Sequence, residues 1–218
     1  MPKKKSPPPF DLNAFSGSFR SESDRACAVL GGAQLDARLE SLFRRRLRHF
    51  EEDLLQAGRP LGAFSVRIKL ARSLAWISED VCYDLEQIRI IRNFFAHDPD
   101  HELSFTAATV AGKCMTLRAA QTLIDANAQS AATPHPNYSK EVILAMGSIF
   151  KSPRQRYEVS VEMLAQHIDE LGPEASDYAG PDLKKVLWNL GTVGRIGLQA
   201  QATVGPSSLN APLGTSKG

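Results

Sequence analysis

Apolar residues recur at helical spacing over most of the first 171 positions, and no stretch alternates convincingly enough to mark a strand. Ala26, Val29, Leu30, Ala33, Leu35, Leu39, Leu42, Phe43, Leu47, Phe50 and Leu54 fall along one long helix predicted over residues 21–56. Ser21 or Ser23 is its N-cap, and Glu22 and Asp24 sit favourably near its positive end. Gly31-Gly32 interrupts it; the pair either admits a second helix at close range or kinks the first. "GRPLG" (58–62) breaks the pattern, and a second helix is predicted over 65–77 with Ser65 at its cap. A third is predicted over 79–97. Its apolar positions Val81, Leu85, Ile88, Ile91 and Phe95 are separated by four, three, three and four residues, an amphipathic stripe, and Pro99 stops it. "ELSF" leads into a fourth helix over 106–128. "SAATPHPN" (130–137) is a linker, and two further helices follow over 139–150 and 154–171, the last beginning after Pro153.

The ends read differently. Residues 1–20, with "KKKSPPP", combine a charge run with polyproline and are expected to form a disordered basic arm. Beyond Gly172 the chain turns loop-like; "PDLKKVLWNLG" supports one short helix near 182–190, and the Gly/Pro/Ser/Ala-rich end reads as disordered. The expected architecture is all-α: a bundle of five to six helices over 21–171, between the arm and a loop-rich tail, 172–218.

Composition narrows the function. With 218 residues, 43% hydrophobic and 23% charged, the chain resembles ordinary globular proteins. A net charge of +2 gives no overall field for nucleic acid or acidic membrane, so nucleic-acid binding needs a local patch. No apolar run of about 18 residues marks a membrane span, and no apolar core follows the basic N-terminus as in a signal peptide. No membrane partner is expected, and the cytoplasm is the expected location. Cys27, Cys82 and Cys114 form no CxxC pair and are expected as small hydrophobes. No P-loop, dinucleotide fingerprint or nucleophile elbow appears, so no cofactor is expected.

The third helix carries more polar groups than its packing needs. Arg89, Asn93 and His97, each four apart, share one stripe, and Arg92 flanks them, about 140° around the helix from His97. A histidine that moves a proton and an arginine that stabilises a charged phosphorane fit metal-independent RNA cleavage. A solvent-facing arginine and a histidine at a helix end fit the same residues without chemistry. "HDPDH" (97–101) gathers two histidines and two aspartates around a turn, but with no cysteine nearby no metal site is expected. "FRRRLRHFEED" (43–53) is the densest basic cluster. Arg44, Arg45 and Arg48 are candidate phosphate or partner contacts, against a solvated face with Arg48–Glu52 and His49–Asp53 pairing. Arg67 and Lys69, about 200° apart on the second helix, cannot form one patch by themselves; Arg67 pairs with Asp36 or Glu40 or contacts phosphate.

"RNFFAH" resembles the Arg-x4-His signature of the HEPN superfamily, helical bundles that often pair as dimers and include ribonucleases. The resemblance implies Arg92, Asn93 and His97 as candidate catalytic residues, with Arg89 beside them, and RNA as substrate. A longer stretch, "PLGAFSVRIKLARSLAWI", "DLEQIRIIRNFFAHD" and "LSF", is similar to the mannitol operon repressor family over about residues 21–125. That resemblance implies an all-helical, HEPN-like core and a homodimer that regulates transcription through a protein partner such as a transcription factor. No helix-turn-helix stands out, and the fourth helix is too apolar to read bases.

Overall fold

A computed structural model describes residues 11–47, 51–99, 102–132 and 152–172, all within one compact unit, Met1–Asp182. The fold is all-α. The described residues form α1 (Leu12–Phe19), α2 (Asp24–Arg46), a 3-10 turn (Glu52–Leu55), α3 (Phe64–Ser73), α4 (Glu79–His97), α5 (Ala108–Met115), α6 (Arg118–Ala132) and α7 (Pro153–Glu170), and no strand. The helices expected over 139–150 and 182–190, the first ten residues and the tail beyond 172 lie outside the described residues.

The first correction is α1, which occupies residues expected in the disordered arm. The Asp11 carboxylate accepts the Ala14 N–H at 3.0 Å. Phe15 and Phe19 stack with centroids 4.6 Å apart, and Phe19 is buried. Arg20 then grips Glu162 of α7 through Nε and Nη2, at 3.0 and 2.6 Å. These tertiary contacts stabilise a helix too short to persist alone.

Ser23 starts α2, its hydroxyl accepting the Ala26 N–H. The helix ends at Arg46, ten residues before the expected boundary, because Leu47 turns extended and the chain folds into the 3-10 turn. α2 lies between α4 and α7. Cys27 faces Glu158, Gly31 faces Val161 and Arg38 faces Asp169, so α2 and α7 run parallel. Arg25 reaches Asp98 and Gly32 faces Arg92, so α2 and α4 run antiparallel. The two glycines serve these two contacts separately. A Cβ on Gly31 would stand 2.8 Å from the Tyr157 hydroxyl and 3.1 Å from Val161; one on Gly32 would stand 2.7 and 2.8 Å from Arg92 Cγ and Cβ. Of the two expectations for this pair, close approach is the observed one.

α3 starts at Phe64 after Ala63, so Ser65 lies inside its first turn rather than at its cap. It ends at Ser73, short of the expected 77, and Ala75 adopts a left-handed φ of 54°. In α4 the whole stripe Val81, Leu85, Ile88, Ile91 and Phe95 is buried. Asp98, extended before Pro99, ends the helix as expected. The single helix expected over 106–128 is two. The break at Thr116–Leu117 is fixed from α4, where the buried Asp84 carboxylate accepts the N–H groups of Arg118 at 2.9 Å and Ala119 at 2.7 Å. Burial pushes Asp84 up to about 6, against the pull of those two hydrogen bonds. α7 starts at Pro153, with the Ser152 hydroxyl accepting the Gln155 N–H. Tyr157 is fully buried and donates to the Ala28 carbonyl at 2.7 Å. All three cysteines are free; Cys27 and Cys114 are buried, which pushes their thiols up, and Cys82 is half-buried.

Candidate functional site

With its apolar stripe buried, α4 turns a polar face outward. Gly32 lets the stem of Arg92 lie flat against α2, which carries the guanidinium toward Asn93. Arg92 Nη1 donates to Asn93 Oδ1 at 3.1 Å. That acceptor is neutral, and no carboxylate pairs with Arg92 among the described residues. Arg89 is held by Glu86 at 2.9 Å, one turn away on its own helix.

Asn93 and His97 line an open pocket of about 370 Å³ between α4 and α5, with Phe94, Asp98, Leu103, Thr109 and Val110. His97 and Thr109 are exposed, and Phe94 keeps 37% of its surface. Phe94, Leu103 and Val110 make the walls apolar; His97, Asn93 and Thr109 supply hydrogen-bonding groups at its edge. The structure thus joins Arg92 to Asn93 by a hydrogen bond and Asn93 to His97 by a shared pocket. No hydrogen bond links Arg92 to His97 among the described residues, and Arg92 does not line the pocket.

A network not anticipated from the sequence stands behind the pocket. Arg25 of α2 donates to the carbonyls on either side of His97, to Asp98 at 2.9 Å and Ala96 at 3.4 Å. These are carbonyls that a helix end leaves without intrahelical partners, and the cation suits the negative end of α4. The Asp98 carboxylate accepts the Leu103 N–H, and Asp24 accepts the Phe105 N–H, both at 2.9 Å. Asp24 is paired in turn with Arg154 at 2.6 Å, and Arg154 donates to the carbonyls of Arg20 and Glu22. Asp98, Leu103 and Phe105, after the end of α4, are therefore pinned from α2 and α7. The one local hint in the sequence is an arginine in the first turn of α2, where a helix dipole disfavours it.

The remaining candidates have structural partners. Arg67 is 3% exposed; it pairs with Asp36, one of the two expected acids, with Nε–Oδ1 at 3.0 Å, and also donates to the Leu61 carbonyl. Burial raises Asp36, and Arg67 works against that rise. Lys69 is exposed and, as the spacing predicts, shares no patch with Arg67. Arg44 pairs with Glu40. Arg45 donates to the Ile168 carbonyl at 3.0 Å and lies 3.7 Å from Asp169, and Arg46 donates to the Gly172 carbonyl at 3.0 Å with its guanidinium 5.4 Å from the Trp76 ring. Arg45 and Arg46 thus gather at the negative end of α7. Arg48 and its expected pairing lie outside the described residues, as do Asp100 and His101. Among the described residues no three His, Cys, Asp or Glu side chains are grouped to hold a metal, and no helix is long and apolar enough to cross a membrane.

A family model described as the mannitol repressor matches residues 34–162, more than half of the chain, and the chain belongs to that family. No curated protein matches it. A chain in the X-ray structure of the MtlR–HPr complex from Escherichia coli superposes with a TM-score of 0.53 at 22% identity, covering 72% of this chain and 98% of that one. At this identity the likeness shows a shared fold.

Proposed function

We propose that this member of the mannitol repressor family is a regulatory protein that modulates transcription through a protein partner rather than by reading bases. The family match over residues 34–162 carries the reading. The structural neighbour belongs to a complex that contains HPr, which makes HPr the first partner to test; a transcription factor is the second. The charge distribution supports a protein partner. Arg44, Arg45 and Arg67 have carboxylate or carbonyl partners within the bundle, which weighs against these three as a phosphate-backbone footprint. Calorimetric titration of the full chain with HPr, beside a gel shift on operator DNA across a salt series, tests it. Saturable HPr binding without sequence-preferring DNA binding is expected; the reverse pattern rejects the reading.

A second reading, a HEPN-type metal-independent ribonuclease acting as a homodimer, is favoured by one observation: Arg92 touches Asn93, and Asn93 shares a pocket with His97. RNA incubated with the protein in EDTA, beside His97→Ala, tests it. Cleavage that the variant lacks supports it, and no cleavage by the wild type rejects it. Sedimentation analysis at the same concentrations tests the dimer.

A further inference from the structure

We propose that the ends of α2 and α7 form a binding site for a tetrahedral oxyanion, phosphate or a phosphate monoester, held by Arg45, Arg46 and His167. Orphaned donors carry the inference. Arg46 Nη1 and Nη2, Arg45 Nε and His167 Nε2 are buried without a hydrogen-bond partner. Such atoms are rare in folded proteins, because each has given up water without a replacement. Among the described residues there are eight, and these four gather at one end of the bundle; the others belong to Ser16, Glu86, Arg156 and Ser160. None of the three residues lines the pocket between α4 and α5, and the inference stands independently of the regulatory reading.

The scaffold brings the three together. Arg45 Nη2 donates to the Ile168 carbonyl and Arg46 Nε to the Gly172 carbonyl, both at 3.0 Å, so both guanidiniums lie at the last turn of α7, where His167 also sits. These carbonyls occupy one edge of each guanidinium and leave the orphaned atoms on the other. Arg46 Cζ lies over the Trp76 ring, 5.4 Å from its centroid, which covers the flat face of the guanidinium while its N–H groups stay in the plane. The acids on this turn are shared or engaged. Asp169 lies 3.3 Å from Arg38 and 3.7 Å from Arg45, and Glu170 accepts from Gln166 at 2.9 Å. No carboxylate pairs with Arg46 among the described residues. Burial, then the charge of Arg45, lowers Arg46; burial lowers His167 as well, with Glu170 opposing and Arg46 adding to it. An oxyanion would supply what both lack, acceptor-only oxygens and negative charge. Donors drawn from two helices suit the tetrahedral oxygens of phosphate better than the coplanar pair of a carboxylate. Their burial suits one ion rather than the run of phosphates along a nucleic acid.

The test titrates the full chain, in a phosphate-free buffer at constant ionic strength, with inorganic phosphate, methyl phosphate, acetate and chloride. The Nε–H signals of Arg45 and Arg46 and the ring signals of His167 report binding by NMR. Inorganic phosphate is expected to shift all three saturably, half-saturating at about 1 mM or below, the range that a few charge-assisted contacts support. Acetate is expected to bind at least about tenfold more weakly, and chloride not to saturate. Phosphate should also raise the melting temperature of the wild type, because it binds the folded state. Arg46→Gln is expected to weaken phosphate about tenfold or more and to lose that rise. Arg46→Lys, which keeps the charge without the fork, should fall between the two and carries the test where Arg46→Gln does not fold. Arg72→Gln, exposed in the last turn of α3, is expected to leave binding unchanged. Methyl phosphate that matches inorganic phosphate supports a site for the phosphate group of a larger molecule; binding of inorganic phosphate alone supports a site for the free ion. Acetate or chloride as effective as phosphate, shifts confined to other residues, no shifts, or a folded Arg46→Gln that binds phosphate as the wild type does overturns the proposal.

Discussion

The arginines of α2 and those of α4 look alike in sequence and are used in opposite ways. On α2, Arg45 and Arg46 close the carboxyl end of α7, and Arg25 closes that of α4. Their charge is absorbed by carbonyls that would otherwise be unsatisfied. On α4, Arg92 lies along a glycine and meets only an amide. The described part of the dense basic run is thus mostly architecture, whereas Arg92, in an ordinary amphipathic helix, has an amide rather than a carboxylate as its hydrogen-bond partner. What separates them is not local density but whether a helix end or a carboxylate lies within reach.

Breaking the architectural side should have the largest effect. Arg67→Ala strands Asp36 and the Leu61 carbonyl and is expected to cost about 4 kcal/mol in urea unfolding. Arg67→Lys should recover only part of this, because an ammonium cannot span both acceptors as the guanidinium fork does. Next is Asp84. Its folded pKa is raised, from 3.8 to about 6, so its contribution to stability is fully present below pH 4 and is lost as pH rises through 6. The wild type should lose on the order of 3 kcal/mol more than Asp84→Asn between pH 4 and pH 7; parallel pH profiles for the two would reject the assignment. Gly31→Ala comes third. The new methyl meets the Tyr157 hydroxyl and Val161, and overpacking should outweigh the gain in helix propensity by about 1–2 kcal/mol, read as a lower melting temperature. Smallest is His97→Ala, an exposed position, expected to change stability by less than about 0.5 kcal/mol. A larger loss would place His97 on the architectural side and erase the contrast.

Local features of the sequence were enough for much of this. The stripe of α4, the stop at Pro99, a last helix beginning at about Pro153, a serine cap narrowed to Ser21 or Ser23 and an Arg67 pair narrowed to Asp36 or Glu40 come from spacing or residue type within one or two helices; the structure selects Ser23 and Asp36. The misses share a physical cause. α1 depends on Arg20 meeting Glu162, 142 positions away. The α5–α6 break depends on a carboxylate from α4, and the pinning of Asp98 and Phe105 on Arg25 and Asp24. Each is a helix end or loop satisfied by a side chain from elsewhere in the chain, and no periodicity encodes that. For the site, sequence supplied Arg92, Asn93 and His97; the apolar pocket beside them needed Leu103, Thr109 and Val110 from beyond the helix stop.

The parallel pairing of α2 with α7 also sets the order in which the molecule can be made. Cys27 and Glu158 touch across 131 residues, and the groove at Gly31 has nothing to fill it until Tyr157 has been synthesised. At roughly 5–20 residues per second, the apolar face of α2 waits several seconds or more on the ribosome for its partner. During that interval α2 and α4 can already pair through Gly32 and Arg92. The nascent chain is then a half-bundle with one open flank, which is the stage at which chaperone capture or aggregation would compete with folding.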